Sequence, residues 1–251
     1  MGGTGSIWRP ITAPLEETYR CIAPDQRGHG GSRPVPENER DDFHATDYAK
    51  DVSQLLASLK IDRYFLIGHS MGVRTALALA QQELEKVQGL ILVDISITRE
   101  WGGGIGVPLA NFIRALPEQF STRQGLRDYV MKYCPDPSIG QYLAAVSKKV
   151  SDSPESWVFP FDHQSLVRTI EEADEAPIPE WVRKILAAKI PILFLRGERS
   201  KVWKKEDYEA QRIQFADPNL TFEEWGNCGH GLPFEQRLRF IERVKEFIAR
   251  E

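Results

Sequence analysis

The sequence predicts an α/β fold in which a mostly parallel sheet is covered by helices on both faces and carries a helical cap. Short apolar runs alternate with amphipathic segments, which is typical of parallel strands joined by crossover helices. A Gly-x-Ser-x-Gly turn at residues 68–72 joins one of these runs to an Ala- and Leu-rich segment. A long stretch without a strong strand pattern separates the two alternating parts. We therefore predict a core at residues 1–95 and 189–251 and a cap at residues 96–188.

The composition limits the kinds of partner that the protein is expected to have. The 251 residues carry a formal net charge of −4, spread along the chain, which gives no reason to expect nucleic acid or a membrane surface as a partner. No apolar run is long enough to span a bilayer, and no signal peptide is visible. The three cysteines, Cys21, Cys134 and Cys228, have neither disulfide-framework nor metal-ligand spacing. We therefore expect a cytoplasmic protein and leave its oligomeric state open.

The individual elements follow from apolar runs and helical periodicity. Residues 6–15 are predicted to form a short helix, followed by a short strand at Tyr19–Pro24. Thr46 is expected to cap a helix that runs to about Lys60, because apolar side chains recur on one face of this segment. The remaining strands are predicted at Tyr64–Ile67, Val87–Val93, Ile190–Leu195 and Leu220–Trp225. Two later helices are predicted, one at residues 204–215 and a closing one that buries Phe234, Leu238, Ile241, Val244 and Ile248.

The Gly-x-Ser-x-Gly turn is the candidate centre of the chemistry. Between a strand and a helix, such a turn places the serine side chain, here that of Ser70, at an exposed tip. We expect Gly68 and Gly72 both to be required, because a side chain on either flank would collide across the tight turn. The N–H of Met71, at the start of the helix, is expected to point toward the place where an oxyanion would form.

A serine hydroxyl is a weak nucleophile at neutral pH and needs a base. His230 is the predicted base, because it lies in a Gly-His-Gly loop after the last strand and follows Ser70 in the chain. His69 is next to the serine, but its side chain is expected to point away across the turn. His29 lies in a glycine-rich loop and is expected to have a structural hydrogen-bonding role. Since the base must be neutral, activity is expected to fall below about pH 6.5, the ordinary pKa of a histidine.

Three segments together carry a resemblance to a known family. They are Gly68–Gly72, the Asp-x-Arg-Gly-His-Gly run at Asp25–Gly30, and Cys228–His230. In these segments the chain is similar to the α/β-hydrolase superfamily, and the similarity extends over essentially the whole chain. The resemblance implies the α/β-hydrolase fold and serine-hydrolase chemistry, but it does not specify a substrate.

The acid that would orient His230 has two candidates. Most members of the superfamily carry an aspartate in the loop after the strand predicted at Ile190–Leu195, where this chain has Ser200. Glu198 lies earlier in the same loop. Asp94 ends the preceding strand, and the carboxyl ends of strands in such a sheet face one crevice.

One branch of the superfamily favours Asp94. The small esterases of the bacterial YbfF type and the ABHD11-like proteins have Val-Asp-Ile after that strand and a serine in place of the later aspartate. This chain has the same pattern, with Asp94 inside Val-Asp-Ile and Ser200 at the later position. The resemblance implies that Asp94 orients His230 and that Ser200 supports the pair by hydrogen bonding. Glu198 remains the alternative acid.

The first residues resemble the oxyanion loop of the superfamily, which has the pattern His-Gly-x-x-Gly-Ser with a tryptophan just beyond. The match begins at Gly2, continues to Ser6 and includes Trp8, and Met1 stands where the family has histidine. The resemblance implies that the N–H of Gly3 is the second oxyanion donor.

The same resemblance places three strands before this loop, and the sequence contains none of them. Strands of five or six residues with their turns would add roughly 20–30 residues. One of these strands would lie between the Tyr19–Pro24 strand and the strand before Ser70, and an empty slot would leave backbone groups unpaired. We expect either that the native chain begins earlier or that the sheet closes without this strand, and we favour the first.

The predicted function is cofactor-free hydrolysis of a small-molecule carboxylic ester by Ser70, with no metal site. C–C bond, lactone and amide hydrolysis remain alternatives, because the same three side chains serve each reaction. Outside enzymes, the alternative is a non-catalytic binding protein with this fold. The cap is expected to supply an apolar substrate pocket that includes Trp101, Trp157 and Phe161, while most cap aromatics are expected to form the core of the cap itself.

Overall fold

The computed structural model of the protein describes residues 2–33, 35, 42–97, 106–172 and 176–250. Within these ranges there are six strands, eleven α-helices and a short 3₁₀-helix at Gly5–Trp8. The strands are β1 (Tyr64–His69), β2 (Val87–Val93), β3 (Lys148–Asp152), β4 (Glu155–Val158), β5 (Ile192–Gly197) and β6 (Leu220–Trp225). The helices are α1 (Arg9–Leu15), α2 (Ala45–Ser58), α3 (Met71–Gln82), α4 (Gly106–Arg114), α5 (Arg123–Tyr133), α6 (Pro137–Val146), α7 (His163–Glu171), α8 (Ile178–Ala187), α9 (Lys205–Gln214), α10 (Leu232–Glu235) and α11 (Arg237–Ala249).

The chain passes several times between two compact units. The first unit comprises the described residues of Met1–Arg9, Ala23–Phe43 and Gly104–Ala173, and the second comprises those of Pro10–Ile22, His44–Gly103 and Asp174–Glu251. Within the described ranges, no helix combines the length and the apolar character that crossing a bilayer requires. Nor does this part of the chain contain a group of three or more His, Cys, Asp or Glu side chains arranged to hold a metal ion.

The second unit is built on a four-stranded parallel sheet in the order β1-β2-β5-β6. The central strands β2 and β5 are almost entirely buried, as expected for strands that are covered on both faces. At the ends of the strands, Val93 lies opposite both His69 of β1 and Leu195 of β5. The predicted fold class, an α/β fold with a mostly parallel sheet and covering helices, is confirmed. Because the strands are parallel, the residues that follow each of them lie at the same edge of the sheet.

Helices of the second unit cover this sheet. α3 packs on β1 and β2, and α2 and α8 pack on α3. From α11, the ring of Phe247 lies 6.3 Å from that of Phe65 on β1, centroid to centroid. A Cβ at Gly89 of β2 would come within 2.9 Å of Phe247, so the glycine makes room for this ring. Trp181, expected among the cap aromatics, is buried on α8 in the unit that contains the sheet.

The strand predicted at Tyr19–Pro24 does not form. Among the described residues, no strand pairs with β1 on the side away from β2, and the middle of β1 is only half buried. An apolar run becomes a strand only when a neighbouring strand accepts and donates its backbone hydrogen bonds. The prediction was wrong because a local apolar pattern does not supply that neighbour, and the sheet does not close onto this segment.

The first turn of α2 also differs from its prediction, which placed the cap at Thr46. The helix begins at Ala45. The His44 N–H donates to Asp47 Oδ2 at 3.0 Å, and the Asp47 N–H donates to the His44 carbonyl at 2.9 Å. These reciprocal bonds close the helix end two residues earlier than the sequence pattern indicated.

The buried face of the closing helix is partly different from the predicted one. Leu238 is 73% exposed, whereas Phe240 and Phe247 are buried beside the predicted Ile241 and Val244. The prediction treated the segment as one helix, but α10 and α11 are separate helices. A helical periodicity counted from α10 therefore does not carry over to α11.

The first unit packs α4 against α7 and α5 against α6. It also contains an antiparallel hairpin of β3 and β4, in which Lys149 lies opposite Trp157. The prediction that residues 96–188 contain no strong strand was wrong at this place. β3 has the sequence Lys-Lys-Val-Ser-Asp, and with one apolar residue it shows no alternation that would mark it as a strand.

Aromatic side chains pack against one another in the first unit. The ring of Phe120 lies 5.5 Å from that of Tyr129 and 6.0 Å from that of Phe159, centroid to centroid. Phe159 stacks on Phe161 at 5.3 Å, and both are buried. These contacts are of the kind expected when most aromatics of the segment form its own core.

Candidate active site

Ser70 lies at the junction between β1 and α3. Its φ of 56° and ψ of −125° lie outside the regions that L-residues ordinarily adopt, so the serine backbone is strained. The Ser70 N–H donates to the Val93 carbonyl at 3.0 Å, and the Ser70 carbonyl accepts the Val73 N–H at 2.9 Å. These bonds tie the turn to β2 and to α3, and they help to hold the strained conformation in place.

The two glycines that flank Ser70 have different surroundings. A Cβ at Gly68 would lie 2.5 Å from the Gly72 carbonyl oxygen and 2.8 Å from Val73 Cα, and these backbone atoms cannot rotate aside. A Cβ at Gly72 would meet no described heavy atom within 4 Å. The prediction that both glycines are required by packing is therefore wrong for Gly72, because only position 68 faces the backbone of the helix.

His230 lies within hydrogen-bond distance of both Ser70 and Asp94. Its Nε2 is 3.0 Å from Ser70 Oγ, and its Nδ1 is 2.7 Å from Asp94 Oδ2. A carboxylate oxygen can only accept, so the ring proton belongs on Nδ1 and Nε2 carries the lone pair. In this tautomer His230 can accept the hydroxyl proton of Ser70, which is the first requirement for a general base.

Asp94 follows β2, with a φ of 58° and a side chain that is 0% exposed. Its N–H donates to the Leu195 carbonyl at 2.8 Å, which extends the pairing of β2 with β5 to this position. Its Oδ1 accepts the Gly197 N–H at 3.1 Å, and its Oδ2 accepts both the His230 Nδ1–H and the Ser200 hydroxyl. Three donors therefore satisfy a carboxylate that has no access to solvent.

The loop after β5 carries Ser200 and Glu198, which have different partners. Besides donating to Asp94, Ser200 Oγ accepts two backbone N–H groups of its own loop, at 3.2 and 3.4 Å. Glu198 Oε2 accepts the Asn227 N–H at 3.0 Å. The structure therefore brings Ser200 against the aspartate, whereas Glu198 holds the loop after β6.

Arg196 is a buried residue near Asp94 that the sequence analysis did not single out. It is 2% exposed, and its Nη1 pairs with Glu224 on β6. Its Nε donates to the Trp203 carbonyl at 2.8 Å and its Nη2 to the Ser200 carbonyl at 3.4 Å. The guanidinium thus braces the loop that carries Ser200. The signal that could have found it is an arginine near the end of an apolar strand, because a buried charge needs partners.

His69 does not point away from the site, as the sequence analysis expected. Its Nε2 lies 2.7 Å from the His230 carbonyl oxygen, although the two residues are 161 positions apart in the chain. The pKa of His69 lies well below its ordinary value. The main cause is burial and the second is the neighbouring His230, so the ring is neutral. The prediction was wrong because the loop after β6 returns to the end of β1, which the local sequence does not reveal.

The glycine-rich first residues, in the first unit, form a loop that two side chains hold. His29 Nε2 accepts the Gly2 N–H at 3.0 Å, and its Nδ1 donates to the Arg27 carbonyl at 2.9 Å. Asp25 Oδ1 accepts the Gly5 N–H at 2.7 Å. These contacts are of the structural hydrogen-bonding kind that the sequence analysis expected for His29.

His29 should make the protein less stable in mild acid. Burial lowers its pKa to about 4, so the folded chain keeps the ring neutral while the unfolded chain takes up a proton near pH 6.5. The neutral ring therefore contributes fully to the free energy of unfolding above about pH 6.5, and this contribution decreases as the pH falls towards 4. Between pH 7 and pH 5 the decrease is about 2 kcal/mol. Urea unfolding of the wild type and of His29→Gln at both pH values measures the effect.

Glutamine does not titrate, so the stability advantage of the wild type over His29→Gln is expected to shrink at pH 5. An advantage that stays constant between the two pH values would contradict a buried, neutral His29.

Gly3 lies close to Tyr142 of α6 in the first unit. A Cβ at Gly3 would lie 2.2 Å from Tyr142 Oη, so any side chain there would displace the tyrosine. Burial raises the pKa of the Tyr142 phenol to about 12. No hydrogen-bond partner of the Gly3 N–H is found in the described part of the chain. The role of Gly3 as an oxyanion donor stays a prediction, and Tyr142 is a neighbour that the sequence analysis missed.

The three predicted pocket residues have different surroundings. Phe161 packs beside Gly2, where a Cβ would come within 3.2 Å of its ring. Trp157 lies on the hairpin, where its indole N–H donates to Glu155 and the Arg123 guanidinium lies 5.4 Å from the ring centroid. Trp101 lies outside the described residues. A substrate pocket built from these residues stays a prediction.

Met71 begins α3 directly after Ser70. Its N–H is one of the donors that a helix leaves unpaired at its N-terminus, and no acceptor for it is found among the described residues. The helix dipole adds a partial positive charge at this position. The N–H of Met71 can therefore stabilise negative charge beside the serine.

Comparisons with known proteins identify a family and several relatives. A family model described as the alpha/beta hydrolase fold matches residues 1–235. Among curated relatives, RutD of Escherichia coli O139:H28 is 35% identical over 94 residues, which cover 38% of this chain and only 34% of RutD. Rv2715 of Mycobacterium tuberculosis is 27% identical over 259 residues, which cover 99% of this chain and 73% of that relative. The narrower resemblance to YbfF-type and ABHD11-like esterases stays a prediction.

Solved structures share the fold. E-2-(acetamidomethylene)succinate hydrolase superposes with a TM-score of 0.79 at 20% identity, over 99% of this chain and 88% of that one. A marine microorganism esterase gives a TM-score of 0.76 at 22% identity, over 98% of this chain and 92% of the esterase. The enol-lactonase from Burkholderia xenovorans LB400 gives a TM-score of 0.73 at 22% identity, over 99% of this chain and 88% of the lactonase. At these identities the likeness establishes the fold and leaves the chemistry to be argued from the site.

Proposed function

The chain belongs to the alpha/beta hydrolase family, and we propose that it is a serine hydrolase that cleaves a small-molecule carboxylic ester. The observation that carries the proposal is a continuous series of hydrogen bonds. It runs from Ser70 Oγ to His230 at 3.0 Å and from His230 to Asp94 at 2.7 Å. A serine hydroxyl becomes an effective nucleophile only when a positioned base takes its proton, and this series supplies the base together with the acid that orients it.

In the first half of the proposed reaction, Ser70 Oγ attacks the carbonyl carbon of the ester while its proton moves to His230 Nε2. The imidazolium that forms is stabilised by the buried carboxylate of Asp94, which faces its Nδ1–H. The Met71 N–H donates to the oxyanion. His230 then gives the proton to the leaving alcohol oxygen, and the acyl group stays on Ser70.

In the second half, a water molecule gives a proton to His230 Nε2 and attacks the acyl carbon. The C–O bond to Ser70 breaks, and the serine oxygen takes the proton back from His230. One ester and one water are converted into one carboxylic acid and one alcohol. No step uses a cofactor, because His230 carries the proton in each half of the reaction, while Asp94 orients the ring and stays ionised.

An ester is proposed ahead of an amide because an alcohol is a better leaving group than an amine. Lactone and C–C bond hydrolysis use the same three side chains, so substrate profiling has to separate them. The resemblance to the small esterases of the YbfF type favours an acyl group of small or medium size.

A fluorophosphonate probe tests whether the protein is a serine hydrolase. We expect covalent labelling of the full-length chain, because such probes react with a serine that a neighbouring base activates. Labelling should be lost in Ser70→Ala and kept in Ser58→Ala, whose hydroxyl donates to the Leu55 carbonyl at the end of α2. Gel fluorescence and intact mass measure the outcome. A folded wild-type protein that does not react would contradict the proposal and favour a non-catalytic binding protein.

The bond type is tested with p-nitrophenyl esters of increasing acyl length and with the matching p-nitroanilides. The esters are expected to be hydrolysed, with the highest kcat/KM for short or medium acyl chains, and the anilides are expected to be inert. Anilide turnover as fast as ester turnover would instead support amide hydrolysis.

A further inference from the structure

We propose that His69 is a positioning residue that orients His230 by donating a hydrogen bond to its backbone carbonyl. The inference rests on the proposed function and adds to it a residue outside the series Ser70, His230 and Asp94. His69 is the last residue of β1 and directly precedes the serine. The same strand end therefore carries the proposed nucleophile and the donor that fixes the proposed base.

The direction of this hydrogen bond is determined by its atoms. His69 Nε2 lies 2.7 Å from the His230 carbonyl oxygen, and a carbonyl oxygen can only accept. The proton must therefore be on Nε2. Since burial keeps the His69 ring neutral, its Nδ1 carries the lone pair. The contact thus selects one tautomer of His69.

The loop that carries His230 needs such a restraint. Gly229 and Gly231 flank the histidine, and glycine leaves the backbone many accessible conformations. The bonds from the His230 ring to Ser70 and Asp94 restrain the ring, but they do not restrain the peptide group that follows it. The bond from His69 restrains that peptide group.

The chain before His230 is held independently, because the Gly229 carbonyl accepts the Leu232 N–H at 3.2 Å. The Gly229 N–H donates to Glu235 Oε1 at 3.1 Å. The loop backbone is therefore held from both sides of the histidine, by His69 after it and by Glu235 before it.

The His69 ring also packs against the base. The centroids of the His69 and His230 rings are 4.9 Å apart with an interplanar angle of 38°. Phe234 meets the His69 ring edge-on at 6.0 Å. A neutral ring at this place adds no positive charge beside the imidazolium that His230 becomes in the proposed reaction, whereas a charged side chain would oppose its formation.

Loss of the hydrogen bond is expected to lower kcat and to leave KM almost unchanged. His69 donates to the protein backbone, so its removal misplaces His230 without removing a contact to the substrate. A base displaced by about 1 Å loses roughly 10- to 100-fold in turnover.

Three variants distinguish the effect of the hydrogen-bond donor from the effect of the ring packing. In His69→Gln the amide nitrogen takes the place of Nε2 and keeps the donor, whereas in His69→Asn it takes the place of Nδ1 and loses the bond. His69→Phe keeps the ring packing and removes the donor. We expect kcat within about threefold of wild type for the glutamine variant and roughly 10- to 100-fold lower values for the other two. Rescue by glutamine, at equal thermal stability of all three variants, is a result that a packing role alone would not give.

A second measurement does not depend on activity. Long-range ¹H–¹⁵N NMR of the wild-type protein is expected to show His69 as a neutral ring with its proton on Nε2. The His230 ring signals should broaden in the asparagine and phenylalanine variants, because the loop becomes mobile, and stay sharp in the glutamine variant.

Three outcomes would overturn the proposal: wild-type kcat with sharp His230 signals in His69→Phe, equal losses in the glutamine and asparagine variants, or a proton on Nδ1 of His69. Failure of the fluorophosphonate to label wild-type protein would instead count against the proposed function. The NMR comparison would still decide whether His69 orients His230.

Discussion

Replacement of Asp94 by asparagine is expected to lower kcat about 10⁴-fold. The carboxylate accepts the His230 Nδ1–H at 2.7 Å and so leaves the lone pair on Nε2, 3.0 Å from Ser70 Oγ. An amide nitrogen facing Nδ1 favours the opposite tautomer, in which Nε2 carries a proton and can no longer accept one from the serine. The amide oxygen can still accept the Gly197 N–H, so the variant is expected to fold. Steady-state kinetics on the best p-nitrophenyl ester measures the loss, with thermal unfolding as the control for folding.

Glu198→Gln is the matched control for this variant, because it makes the same carboxylate-to-amide change in the loop after the neighbouring strand. Its Oε2 accepts the Asn227 N–H at 3.0 Å, and the glutamine oxygen can keep that bond. We therefore expect kcat close to the wild-type value. A steep loss in Glu198→Gln with retained activity in Asp94→Asn would reverse the assignment, and small losses in both would mean that neither carboxylate orients His230.

The parts of the sheet that the sequence predicted well are those whose signal is local. β2 coincides with the predicted Val87–Val93 because a central parallel strand is a nearly continuous apolar run. β5 begins at Ile192, two residues after its predicted start, because Pro191 precedes it and has no N–H for the ladder. Tyr19–Pro24 and β3 were predicted wrongly for the opposite reason. A strand needs a partner, which the first segment lacks among the described residues and the second finds despite its polar sequence.

The residues of the site differ in the same way: some are marked by the sequence around them, and others depend on contacts between distant segments. Ser70 and His230 are predicted from motifs that lie within a few residues of each of them, and the structure places the two side chains 3.0 Å apart. Asp94 needed the family resemblance, since Asp94 and Glu198 both follow strands that end at the same edge of the sheet. The contact between His69 and His230 joins two segments 161 positions apart, and no local pattern encodes which way the His69 ring turns. Side-chain orientation could therefore not be predicted from the sequence where it depends on the packing of distant loops against each other.

Substitution of Gly68 by alanine is expected to destabilise the fold by about 3 kcal/mol or more. The new Cβ would lie 2.5 Å from the Gly72 carbonyl oxygen and 2.8 Å from Val73 Cα. Relief of this overlap requires the strand end and the first turn of α3 to move apart. The Ser70 backbone, already strained at a φ of 56°, lies between them and would have to follow. A large loss of stability is therefore expected to accompany displacement of the serine.

Gly72→Ala is the control that the turn itself provides, since it adds the same methyl group on the other side of Ser70. Its Cβ would meet no described heavy atom within 4 Å, and alanine inside a helix is favoured over glycine by about 0.5–1 kcal/mol. Urea unfolding should therefore show a lower midpoint for Gly68→Ala and an unchanged or higher one for Gly72→Ala. Fluorophosphonate labelling should fall in the first variant and persist in the second. Equal destabilisation of both variants would show that a methyl group at position 72 is as crowded as one at position 68, and the asymmetry of the turn would be refuted.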